Sequence, residues 1–159
     1  MTYGLKPIGT QEENAHIDAN QGYRYEVHFQ KDKRPASVKV GDILILYAVG
    51  HKCLMGYCEV ISRVFESAPA EQMAEPWRER FPYGVYAENR SKSFSENWHD
   101  LRLSPQHLGK AFHESTGLPL TRPGTEHLGA IEWGKSYFAL ADDFARHLIE
   151  TMDMTSNLK

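Results

Sequence analysis

Cysteine is scarce: the 159 residues contain two, Cys53 and Cys58. Both fall in one stretch that reads as a strand, where five steps at ~3.4 Å per residue put them ~17 Å apart on opposite faces. A disulfide needs Cα atoms within about 7 Å, so the pair reads as two reduced core thiols. The same separation argues against a metal held between them. Long apolar runs are also lacking. No segment approaches the ~20 apolar residues that cross a bilayer, which argues against a membrane protein. The opening MTYGLKPIGT has no basic stretch followed by an apolar one, so no secretory leader is expected and the expected compartment is the cytoplasm.

Charge of one sign is nearly absent in net terms, at −3. The strongly basic footprint of a tight, non-specific nucleic-acid binder is therefore missing. The distribution is uneven, however: residues 1–110 carry 14 basic and 14 acidic side chains, and 111–159 carry 4 and 7. The first part is neutral with local basic clusters at Lys31, Lys33 and Arg34, at Arg78 and Arg80, and at Arg90 and Lys92. A neutral domain can still follow a phosphate backbone along one positive stripe. Eight histidines are present, but no HxH, HxxxH or HExxH spacing joins any two. A glycine-rich phosphate loop and a nucleophile elbow are missing as well. Neither a catalytic residue, a metal nor a cofactor is expected.

Hydrophobic content of 41% and charged content of 25% are those of an ordinary globular chain, and the length suits a single domain over 1–159. TQEENAHIDAN, 10–20, opens on a Thr cap with Glu three positions on and predicts a short helix. GYRYEVHF, 22–29, alternates like a strand. VGDILILYAV is apolar on both faces, as a covered central strand must be. CLMGYCEVISRVF, 53–65, follows closely enough to pair with it as an antiparallel hairpin, and Gly56 within it suggests a bulge. A polar turn over 67–76 precedes another strand in RFPYGVYAEN, 80–89, where Pro82 places the start at an edge. Ser104-Pro105 is a cap and first-turn pair that begins a helix over 103–112, 115–130 is an irregular connection, and 136–152 carries helical spacing. The order predicts an α+β fold, a small mixed, mainly antiparallel β-barrel flanked by helices.

The stretch KVGDILILYAVGHKCLMGYCEVISRV resembles the signature hairpin of EVE domains, in the PUA-like superfamily: a Gly-Asp opens a strand ending in an aromatic, and the next strand reads Gly-x-x-Glu-Val. PWRERFPYGVY then resembles the Trp and Arg-Phe segment that carries one wall of the base cage in the related YTH domains. The two lie within residues 38–103, about two fifths of the chain. The resemblance implies a PUA-like, partly open barrel that binds nucleic acid, modified DNA or RNA, and holds an unpaired base in an aromatic pocket. Stacking on Trp or Tyr is worth ~1–3 kcal/mol per base.

Carried onto this chain, the resemblance makes Trp77 a pocket wall, since it keeps its spacing to Arg80-Phe81; read from the residues alone, Trp77 caps the core. Tyr47 ends the central strand where the pocket mouth is implied, on a strand that equally suits burial. Tyr23 and Tyr25 stand at the second aromatic wall, where the family's Trp is absent. Asn97 and Trp98 lie in the polar SENWHD, where an indole points either to a base or partner, or back onto the barrel end. Arg78, Arg80, Arg90 and Lys92 lie on adjoining segments and are expected to contact phosphates. Two other classes remain open. A small barrel enzyme acting on nucleic acid would use Glu59 or His99, and a protein-interaction module, with an effector as partner, would use the Trp98 loop and the acidic C-terminal helix.

Overall fold

Six consecutive buried residues, ILILYA, form strand β3 (Ile43–Ala48) at the centre of the protein. In the computed structural model the described residues are 1–8, 24–29, 38–48, 52–76, 79, 81–91, 104–122 and 137–157. Around β3 stand β1 (Tyr3–Ile8), β2 (Arg24–Phe29), β4 (Cys53–Val60), β5 (Phe65–Glu66), β6 (Tyr83–Asn89) and β7 (Phe138–Leu140). They form one sheet in the order β2-β6-β4-β3-β1-β7, with β5 added beside β6. The β1–β3 pairing is parallel and the others are antiparallel. Three helices complete the described chain: α1 (Pro69–Ala74), α2 (Pro105–Thr116) and α3 (Asp142–Asn157). None is long and apolar enough to cross a membrane.

Alternation along β3 builds two cores from one strand. Ile43, Ile45 and Tyr47 face a cluster shared with Tyr3, Leu5, Phe138 and the helices, whereas Leu44, Leu46 and Ala48 face one shared with Val27, Phe29, Val85 and Ala87. Burying each aliphatic side chain contributes roughly 1.5–3 kcal/mol. The second cluster lines the concave side of the sheet, which curls into a half-barrel: Phe29, on the edge strand β2, reaches Tyr137, next to the opposite edge strand β7, with ring centroids 6.3 Å apart. This is the α+β, barrel-like architecture that the element order implied.

The central hairpin forms as expected. β3 and β4 pair antiparallel, and the register slips beside Gly56, where Met55 is the extra residue between Leu54 and Gly56. Cys53 and Cys58 are buried in different clusters and do not bridge each other. Gly41-Asp42 has a structural role. Gly41 adopts φ 94°, a left-handed conformation that glycine takes without Cβ strain. The Asp42 carboxylate, 4% exposed, accepts from the amides of Thr2 and Lys39, each at 2.9 Å. One side chain thus ties the start of β1 to the turn before β3.

Ser104 caps α2, with Pro105 in its first turn. The helix runs to Thr116, four residues past the expected end, because its stop is Gly117 at φ 71°, whose N–H closes on His113 O. The stretch 136–152 is not one helix. Phe138 and Leu140 alternate in β7, against β1, and the helical stripe Phe144, Leu148, Met152 begins after them. The four-residue step from Leu140 to Phe144 conceals that boundary in the sequence. β6 is an interior strand between β2 and β4, with Pro82 just ahead of it, rather than an edge. β1 was not anticipated, since Gly4, Lys6 and Pro7 are poor strand formers; Pro7 lies beyond the part of β1 paired with β7, where less ladder bonding is lost. The helix expected over 10–20 lies outside the described residues.

Candidate functional site

The two edges of the half-barrel approach each other at a seam, and β1 supplies an unusual residue there. Tyr3 and Leu5 face the helix-side core, so the two-residue period of a strand turns Gly4 and Lys6 to the concave side. Lys6 is 6% exposed. Its ammonium donates to Pro7 O at 2.9 Å and lies 5.2 Å from the centroid of the Phe29 ring, a cation–aromatic contact. No carboxylate pairs with it among the described residues. Burial pulls its pKa from 10.5 down to about 8, because the charged form loses its water.

Tyr137 forms the outer wall of the seam. Its ring covers Gly4 so closely that an added Cβ would collide with Tyr137 Cε2. The ring meets Phe29 edge to face at 65° and stays half-buried. Its hydroxyl accepts from Nη2 of the exposed Arg122 at 3.3 Å. Arg122 is held beside β7 by backbone: its N–H donates to Ala139 O at 3.0 Å, and Thr121 bridges Leu140. The seam therefore combines a buried donor-only cation, two aromatic rings and an exposed guanidinium. Such a set suits a planar ring with acceptor atoms, attached to a phosphate.

Two other contacts among the described residues tie elements of the fold together. Tyr57 O–H lies 3.1 Å from both Asp153 oxygens, tying β4 to α3. Burial, with the Asp153 charge and hydrogen bond, pushes its pKa up to about 12. On the convex face, Phe65 packs over Gly84, at 5.0 Å from Tyr86 and 6.0 Å from His28 between ring centroids, and so seats β5 on β6. Among the described residues no three His, Cys, Asp or Glu side chains form a group able to hold a metal ion.

Of the expected site residues, Tyr47 is 2% exposed within the helix-side core, with Gln106 Nε2 at 3.5 Å from its hydroxyl. Arg90 lies between Glu88 at 3.0 Å and Glu59 at 3.6 Å, so Glu59, on which an enzymatic reading rested, faces a guanidinium. Neither Tyr47 nor Arg90 belongs to the seam cluster. Tyr25 stands in β2 opposite Ala87. Tyr23, Trp77, Arg78, Arg80, Lys92, Asn97, Trp98 and His99 lie outside the described residues. Lys6, Phe29, Tyr137 and Arg122 were not anticipated; the available signal was a lysine at the inward step of Tyr3-Gly4-Leu5-Lys6. No profile of a known protein family matches the chain, and no curated protein is significantly similar to it.

Proposed function

We propose that this chain is a PUA-like domain of EVE type that binds nucleic acid and takes a base, plain or modified, at the seam of its half-barrel. The observation carrying this reading is the buried Lys6 ammonium, set against Phe29 beside Tyr137 with no carboxylate partner among the described residues. A strand residue of ordinary structural purpose at this depth is apolar, and an unpaired buried cation is a costly group associated with ligand sites. Tyr137 offers a stacking face, and Arg122, on its hydroxyl, offers a contact to the adjoining phosphate. Support also comes from the central Gly41-Asp42 hairpin and from the open barrel-like sheet. Trp77 remains a proposed pocket wall, and Arg78 and Arg80 the proposed backbone contacts.

The test is a fluorescence titration with single-stranded and duplex oligonucleotides bearing plain, methylated and hydroxymethylated bases, at several salt concentrations. Saturable binding that weakens as salt rises is expected. Tyr137→Ala should weaken it about 5- to 100-fold, the worth of one stacked base. No binding to any oligonucleotide at low salt overturns the reading and favours a protein-interaction module.

A further inference from the structure

The chemistry of Lys6 narrows what the seam accepts. An ammonium has three N–H donors and no acceptor. Among the described residues one donor is engaged, by Pro7 O at 2.9 Å, while the Phe29 ring lies 5.2 Å from Nζ. The carbonyl and the ring restrain the head group, and the side chain is 6% exposed, so its donors have little bulk water to turn to. A group brought to Nζ therefore has to accept. An amino group there would set donor against donor with no water to separate them, and the desolvated donors would go unpaired. Phosphate also accepts, but it has no π face for Tyr137, and the exposed Arg122 on the Tyr137 hydroxyl is the better placed cation for it.

Resting on the nucleic-acid reading above, we infer that Lys6 is the specificity-determining residue of the seam and selects bases with a carbonyl oxygen at the pyrimidine 4 or purine 6 position. Uracil, thymine, guanine and hypoxanthine carry that acceptor; cytosine and adenine carry an exocyclic amine in its place. The selection follows from the donor-only ammonium inside an aromatic frame, and it needs no further protein group.

Single-stranded octamers that differ in one central base, hypoxanthine against adenine and uracil against cytosine, test this by fluorescence anisotropy with the full chain. Wild type should bind the oxo base about tenfold more tightly in both pairs, the discrimination typical of one well-formed base-edge contact. In Lys6→Met the affinity for the oxo bases should fall to that for the amino bases, leaving a preference below about twofold. Lys6→Arg, which keeps a donor-only cation, serves as the second variant, and circular dichroism checks that both variants fold. Equal affinity of wild type for oxo and amino bases overturns the inference without any variant, and leaves the nucleic-acid reading standing. An undiminished preference in folded Lys6→Met also overturns it. Absence of binding to every octamer removes both.

Discussion

Replacing Lys6 by Met should make the protein more stable at neutral pH. The ammonium titrates at about 8 in the folded chain against 10.5 for an ordinary lysine. At ~1.36 kcal/mol per unit, that difference of about 2.5 units is a penalty of about 3 kcal/mol on the charged folded state. The penalty is fully present below pH 8, where folded and unfolded chains are both protonated. Between pH 8 and 10.5 the folded chain has released the proton and the unfolded chain retains it, so stability rises with pH. Methionine has similar length and no charge, but it leaves Pro7 O without its donor, which costs about 1 kcal/mol. The net expectation is a gain of about 2 kcal/mol at pH 7, with nearly all of the advantage gone by pH 10. Urea unfolding of both proteins at pH 7, 8, 9 and 10, at constant ionic strength, measures the difference while titrations common to both cancel. A difference that does not change with pH, or a variant less stable than wild type at pH 7, would refute the assignment of Lys6 as a buried cation.

Asp42→Asn should lose about 2 kcal/mol, since one carboxylate accepts from two backbone amides and an amide side chain presents only one oxygen; thermal melts of the variant against wild type read this directly. Gly4→Ala should expel Tyr137 from its seat, changing the near-ultraviolet circular dichroism with the far-ultraviolet spectrum retained, because the added methyl and the ring claim the same space. Gly117→Ala should lower stability by about 1 kcal/mol, the cost of a Cβ in the left-handed cap of α2. Tyr57 should ionise later than the usual tyrosine value of 10, near 12. Its raised pKa stabilises the fold below pH 10, a contribution lost between 10 and 12, so Tyr57→Phe should remove a tyrosine step near pH 12 from an absorbance titration at 295 nm.

Local signals carried much of this architecture. Ser104-Pro105 announces α2 because an N-cap and a first-turn proline act within one turn of chain. The run of ILILYA announces a covered central strand, since only a strand with a core on each face stays apolar through consecutive positions. Gly56 announces a bulge because glycine, without a side chain to pack, weakens a regular ladder and accepts a local kink. β1 escaped because its formation depends on a parallel partner 40 residues away rather than on its own propensity. Gly41-Asp42 was legible as a motif, yet its purpose, joining Thr2 to the turn before β3, appears only in three dimensions.

The candidate site divides in the same way. The aromatic and basic residues singled out from the chain are noticeable as types, and Tyr47 shows the limit of that approach: a strand-end tyrosine proves to be 2% exposed inside a core. Composition and periodicity determined by themselves an α+β chain with a buried central hairpin and a helix capped by Ser104, because these follow from neighbours within a few residues. The curl of the sheet alone decided that Lys6, Phe29, Arg122 and Tyr137, scattered across most of the chain, share one seam. Strand order and handed twist are properties of the whole sheet, and no short segment encodes which edges will meet.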